Sequence, residues 1–327
     1  MTTTKGHDPG HDDLPGCTWE RYVELLVSEA GGWAPLADAL IHKARGRGPS
    51  DRTTVEKGIR RLAARGQRPG GQYGRLLIES FGVPRVVEDW ARWMGQHHSR
   101  FADLPVPLRE AELLRWNRPP IAESAAASWI QIGLASCALR RGDALAAIGL
   151  LTRAKLRALR TGGALEAEHL LFDARLLRGE GDDASADALL VRAGRVIGSL
   201  SKAEFPAYGA RLADQHAYAI LHPTKGEPRI ADALSVYRSI PELDDPFVAF
   251  RRAHGIAYCT WKLGKIKDAR VAARAAVEHA GDAGQIRFRV LALDLLSHLV
   301  DDEEAESLRG RARRMARALS EGELHAT

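Results

Sequence analysis

The chain has 327 residues, 45% of them hydrophobic and 27% charged, with aromatics at 6% and a net charge of +5. That length leaves room for a large core and fits two units of ordinary size more comfortably than one, while abundant Ala, Leu and Arg favour helices over sheets. No stretch approaches the roughly 18 apolar residues of a membrane span, the N-terminus lacks a basic-then-apolar leader, and Cys17, Cys137 and Cys259 have neither metal-ligand spacing nor an even count.

The composition therefore predicts an all-α fold in the reducing cytoplasm, with no membrane attachment and with the cysteines as small buried hydrophobes. Residues 1–17 are rich in Gly, Asp, His and Thr and are expected to be a disordered tail. His7 and His11 within it lack a fixed second pair of ligands, so no metal site is expected there.

Residues 18–100 form a basic helical unit. Between residues 41 and 75 stand Lys43, Arg45, Arg47, Arg52, Lys57, Arg60, Arg61, Arg65, Arg68 and Arg75 against only Asp51 and Glu56. This window nets +8, more than the whole chain, so the remainder is acidic. Within it, Thr53 to Arg65 reads as an amphipathic helix: Val55, Ile59 and Leu62 share one side, and Thr54, Lys57, Arg60, Arg61 and Arg65 lie on the other. Ser50 or Asp51 supplies its N-cap.

A helical segment around Leu36 to Leu40 precedes this helix, and another from Gly71 to Gly82 follows it, with Tyr73, Leu76, Leu77 and Phe81 placed to pack. The order resembles a lambda-repressor-like helix-turn-helix over about fifty residues, although Lys43 to Pro49 is longer and more basic than that family's tight turn. The resemblance implies that Thr54, Lys57 and Arg61 face base edges while Arg45, Arg47, Arg60 and Arg65 meet phosphates, with Lys43 and Arg52 in the same basic surface. Three readings of the charge stay open: contact with DNA or RNA, a solvated face, or docking of an acidic protein.

After PRVVEDWARWMGQ come His97 and His98. Adjacent histidines on a helix point about 100° apart, and no neighbouring Cys or carboxylate completes a ligand set, so a role at a helix C-terminus is expected rather than a metal pair. Residues 101–123 form a Pro-containing connector in which Pro105, Pro107, Pro119 and Pro120 bracket a short helix at Glu110 to Trp116.

From residue 124 to 327 small residues recur. Ala135, Ala174 and Ala257 are followed twelve residues later by Ala147, Ala186 and Ala269, with Gly142, Gly181 and Gly264 in between. Two antiparallel helices approach closely where both present a small side chain, and the glycine takes the permissive conformation that ends the first helix. Further copies surround Ala233 and Ala305. These hairpins resemble the tetratricopeptide repeat family, most clearly in GLASCALRRGDALAAIGLLTRA (133–154) and GIAYCTWKLGKIKDARVAARAA (255–276), without that family's usual tryptophan and closing proline. The resemblance implies an α-solenoid whose first helices face a concave groove through Arg175, Arg178, Arg211, Tyr218, Arg251, His254, Tyr258 and Lys262. A basic and aromatic lining of this kind suits an acidic or C-terminal peptide.

Gly70-Gly71 and Gly162-Gly163 lack the Lys-Ser/Thr context of a phosphate loop and read as loop punctuation. The basic run Arg309 to Arg317 lies toward the end of a helix whose start is acidic, Asp301 to Glu306, as the helix dipole favours. With no nucleophile–base pair, metal cluster or phosphate loop, the chain is expected to be a non-enzymatic binding protein without cofactor or metal. The leading expectation is a DNA-binding regulator whose array binds a peptide or protein partner; the alternative is an adaptor that does not touch nucleic acid.

Overall fold

The computed structural model describes residues 18–319, so the expectations for His7, His11 and Cys17 lie outside the described residues. Those described form sixteen α-helices and two short 3-10 turns, with no strand among them. None of the helices is long and apolar enough to cross a membrane. The chain divides into two compact units, Met1–Arg92 with Glu112–Ile130, and Trp93–Ala111 with Gln131–Thr327.

In the first unit, α1 (Trp19–Ala30), α2 (Trp33–Ala44), α3 (Arg52–Ala63) and α4 (Gly71–Phe81) close around one apolar centre that contains Trp19, Tyr22, Leu36, Leu40, Val55, Ile59, Leu62 and Leu77. The side chain of Thr18 accepts from the Arg21 N–H to start α1, and left-handed Gly31 ends it. The Asp51 carboxylate accepts from the Thr54 N–H at 2.7 Å and starts α3, as the sequence predicts. Helix α3 begins one residue before the expected Thr53 and ends two before Arg65. Both large polar aromatics of the core find carbonyl acceptors: Trp19 Nε1 donates to Arg68 O at 2.9 Å and the Tyr22 hydroxyl to Gly82 O. Burial raises the Tyr22 pKa, so its hydroxyl remains a donor.

Next come α5 (Arg85–Gly95), a 3-10 turn at Arg100–Asp103, and α6 (Val106–Trp116). Helix α6 contains the expected piece centred on Glu110 to Trp116 and extends back to Val106, because Pro107 fits the first turn of a helix, where its missing N–H has no partner to lose.

The second unit is a succession of helical hairpins: α7 (Ala127–Arg140) with α8 (Ala144–Thr161), α9 (Gly163–Gly179) with α10 (Asp183–Gly198), α11 (Phe205–Leu221) with α12 (Ile230–Ser239), α13 (Pro246–Lys262) with α14 (Ile266–Asp282), and α15 (Ile286–Ser297) with α16 (Asp302–Leu319). Each hairpin from α9 onward packs on the next, and the first helices also touch in sequence, α9 on α11, α11 on α13 and α13 on α15. The turns repeat one device. Gly142, Gly181 and Gly264 sit at φ +76°, +84° and +76°, and the following N–H reaches back to Ala138 O, Leu177 O or Thr260 O at 2.9–3.0 Å. Asp143 and Asp182 then cap the second helix by accepting from Ala146 and Ser185 N–H groups.

The expected close-approach alanines, Ala135, Ala147, Ala174, Ala186, Ala257 and Ala269, are all buried, as are Ala233 and Ala305. Cys137 and Cys259 are buried thiols, and burial pushes the Cys259 thiol up to about 11, so it behaves as a small hydrophobe.

Candidate functional sites

The predicted basic residues of the first unit separate into two groups. Thr54, Lys57 and Arg61 fall on one stripe of α3 at helical spacing, Arg65 follows in the turn after its end, and the four, with Gly58, Leu62, Gly70, Gln72 and Tyr73, line a concavity of about 480 Å³. Its shape depends on Gly58: the Tyr73 ring lies against the α3 backbone where any side chain would collide, and the Tyr73 hydroxyl donates to Thr54 O at 3.3 Å. Lys57 and Arg61 are exposed and belong to no ion pair among the described residues. Arg65 is also exposed and spends one N–H on Pro69 O at 2.8 Å. Helix α4 starts at the same rim, which adds the positive end of its dipole.

The remaining predicted contacts are tied to neighbours. Arg60 is bidentate to Glu56 at 2.8 and 3.1 Å and lies 4.1 Å over the Trp33 ring. Arg47 pairs with Glu79 at 3.1 Å, and Arg52 with Asp38 at 3.5 Å. Lys43 donates to Ser80 O and sits over Phe81. Arg45 is the exposed left-handed C-cap of α2. The expected division of labour shifts accordingly: Arg65 joins Thr54, Lys57 and Arg61 around the concavity, whereas Arg60 faces away from it and is already engaged.

On the array, the first helices do carry the predicted cations and rings, but two of them lie inside the protein. Arg211, on α11, is buried and bidentate to the fully buried Glu168 of α9 at 2.6 and 2.8 Å. Arg251, on α13, is paired with Asp214 of α11, which also accepts from the Tyr237 hydroxyl at 3.1 Å. Arg251 also sits 4.8 Å over Phe247 and 5.4 Å over Phe288. Arg178 closes the α9–α10 turn by reaching Asp183 at 3.0 Å and Asp187 at 2.6 Å. That leaves Arg175, Tyr218, His254, Tyr258 and Lys262 on or near the surface, with His254 stacked on Phe250 and Lys262 lying 4.3 Å over Trp261. Charge alone does not distinguish a groove arginine from an interior one; the carboxylate opposite it does.

The two interior pairs are electrostatically unequal. Burial opposes the Arg211 charge, but the two-pronged Glu168 carboxylate outweighs it, and the Arg211 pKa ends above its ordinary value. Arg251 has only Asp214, shared with Tyr237, and neighbouring Arg211 and Arg175 repel it; burial dominates and its pKa is lowered. Tyr237 is pushed well up by burial and by Asp214, and so stays a hydrogen-bond donor.

His97 and His98 follow the end of α5, as expected, and have a second role that the sequence reading missed. The His97 N–H donates to Glu168 at 3.3 Å, His98 Nδ1 lies 3.4 Å from Arg211, and Gln285 donates to His98 O at 2.8 Å. Burial, followed by Arg211, Arg287, Arg175 and Arg251, holds the His97 ring well below its usual pKa, so it is neutral. Glu168 carries no clear signal in the sequence, since Glu166 and His169 stand in the same stretch and only burial separates the two acids. No group of three metal-ligating side chains occurs among the described residues.

No known protein family, curated protein or solved structure matches this chain.

Proposed function

We propose that this protein is a non-catalytic, nucleic-acid-binding regulator of the cytoplasm. The first unit is read as a helix-turn-helix-like module that holds DNA, and the second as a tetratricopeptide-like array that engages a peptide or protein. The observation that carries the first half is the cluster of Lys57, Arg61 and Arg65 with Thr54 around one concavity, cationic and with no carboxylate in ion-pair contact among the described residues. Arg47, Arg52 and Arg60, by contrast, each have an acid within reach. A cationic cluster of this kind matches the phosphates of a duplex groove and releases condensed counterions on binding. Seven residues, Arg45–Asp51, separate α2 from α3, so the module departs from the tight-turn version of the motif.

The test is a fluorescence titration of the full chain against random and selected duplexes over a range of salt. Three to five phosphate contacts give a log–log slope of about −3 to −4.5. Lys57→Ala or Arg61→Ala is expected to weaken binding and, where the side chain reads a base edge, to relax preference there by about 1–3 kcal/mol. Arg60→Ala, already occupied by Glu56 and Trp33, is expected to change little. Absence of binding at low salt sinks the nucleic-acid reading and leaves the adaptor.

A further inference from the structure

The first helices of the array are not bare. Eight residues of the same chain, 96–103, are seated on them as a turn followed by a 3-10 turn. Every hairpin contributes to the seat. Arg140 of α7 donates to Ala102 O at 3.1 Å, and Glu168 of α9 accepts from the His97 N–H. Tyr208 of α11 meets Gln96 at 3.3 Å and the His98 ring edge-on, with centroids 5.0 Å apart. Phe247 of α13 packs on the other side of His98 at 5.4 Å. At the start of α15, Gln285 holds His98 O, and Arg287 holds the Asp103 carboxylate at 2.6 Å. A backbone N–H, two backbone carbonyls, a ring and a carboxylate are gripped by side chains of five successive hairpins. These are the contacts by which a groove receives a peptide.

The seat is also incompletely satisfied. Arg140 Nη2, Asp103 Oδ2, Gln285 Oε1, Arg287 Nη2 and Arg251 Nε are buried here without a protein hydrogen-bond partner, as are seven atoms elsewhere in the described residues. The five belong to the segment, to residues that grip it, or to the cation next to it. A ligand that also supplied partners to these atoms would gain hydrogen bonds that the segment does not make.

We propose that residues 96–103 are an exchangeable internal ligand of the array, and that the surface beneath them is built for a peptide of the same chemistry: a turn exposing backbone carbonyls, with an Asp or Glu carboxylate placed to meet Arg287. The partner enters by displacing the segment. The tether keeps the segment at a high local concentration, of order millimolar, so a competing peptide must fill the seat better or be abundant. This inference rests on the partner-binding half of the function proposed above and is independent of nucleic acid.

The test uses the full chain with residues 96–103 replaced by an eight-residue Gly-Ser linker, and a fluorescently labelled synthetic peptide of residues 94–105 as the probe. An exchangeable ligand leaves its receptor folded, so the linker variant is expected to keep its helical circular dichroism signal and to bind the peptide by anisotropy. Binding to the parent chain is expected to be at least about 10-fold weaker, because the tethered copy competes. Arg287→Ala in the linker background is expected to weaken peptide binding by about 10-fold or more through the lost charge-assisted bond, and a peptide of scrambled order is expected not to bind. Collapse of the helical signal in the linker variant would show the segment to be ordinary core and overturn the proposal. Equal affinity for parent and linker variant, or indifference to Arg287→Ala, overturns it as well. No nucleic acid is present, so this test and the duplex titration fail independently.

Discussion

Gly255 sits in the middle of α13, where a glycine costs about 1 kcal/mol relative to alanine in an exposed helix. Its presence follows from Tyr237, whose ring lies flat on the α13 backbone and would overlap any Cβ placed there. The close approach lets the Tyr237 hydroxyl reach Asp214, which in turn holds Arg251. Propensity and packing therefore give opposite forecasts for Gly255→Ala. Packing wins, because overpacking a buried site costs about 1–3 kcal/mol and the displaced ring also loses its hydrogen bond. Urea unfolding of the variant is expected to show a lower midpoint than the parent; a raised midpoint would mean that Tyr237 swings aside at no cost. Gly58 and Tyr73 repeat the arrangement on α3, where it shapes the basic concavity.

Hairpins are held by the same logic over a longer length. Ala174 on α9 and Ala257 on α13 are buried against their partner helices, and the left-handed glycine after each helix sets the turn that brings the partner back. Ala174→Leu or Ala257→Leu is expected to prise the crossing apart at about 1–3 kcal/mol, lowering the thermal midpoint. Ala144→Leu, at an exposed position on α8, serves as the control and is expected to leave it unchanged. A parent-like melt for both buried variants would show that the close approaches lie elsewhere. The repeat spacing of the alanines was legible in the sequence because helix–helix approach imposes a local, periodic demand on side-chain size.

Across the whole molecule, four histidines share one electrostatic condition. His97, His169, His216 and His254 all titrate below the ordinary 6.5, with burial the first cause in each case. A histidine whose folded pKa is depressed binds fewer protons than its unfolded counterpart. Its contribution to stability is complete above pH 6.5 and is lost as the pH falls from there toward the depressed folded value. Each fully buried group removes up to about 1.4 kcal/mol per pH unit within that window, and half-buried His216 less, because solvent screens it. The melting temperature is therefore expected to drop between about pH 7 and pH 5, above the ordinary carboxylate range. Differential scanning calorimetry at several pH values checks this, and a flat profile across that window would contradict it.

By itself the sequence determined the helical class, the hairpin period with its glycine turns and aspartate caps, and the +8 window with its amphipathic helix, since each of these is a relation among residues a few positions apart. Tertiary structure alone decided which charges are spent. Arg211 and Arg251 read like Arg175 in sequence, yet Glu168 and Asp214 draw the first two inside. Arg60 and Arg61 are neighbours in the chain, and Glu56 and Trp33 claim only the first. The seating of residues 96–103 depends on bonds between positions up to 187 residues apart. No local periodicity encodes such pairings, because desolvation and partner geometry, which set whether a charge is buried or free, exist only once the helices are packed.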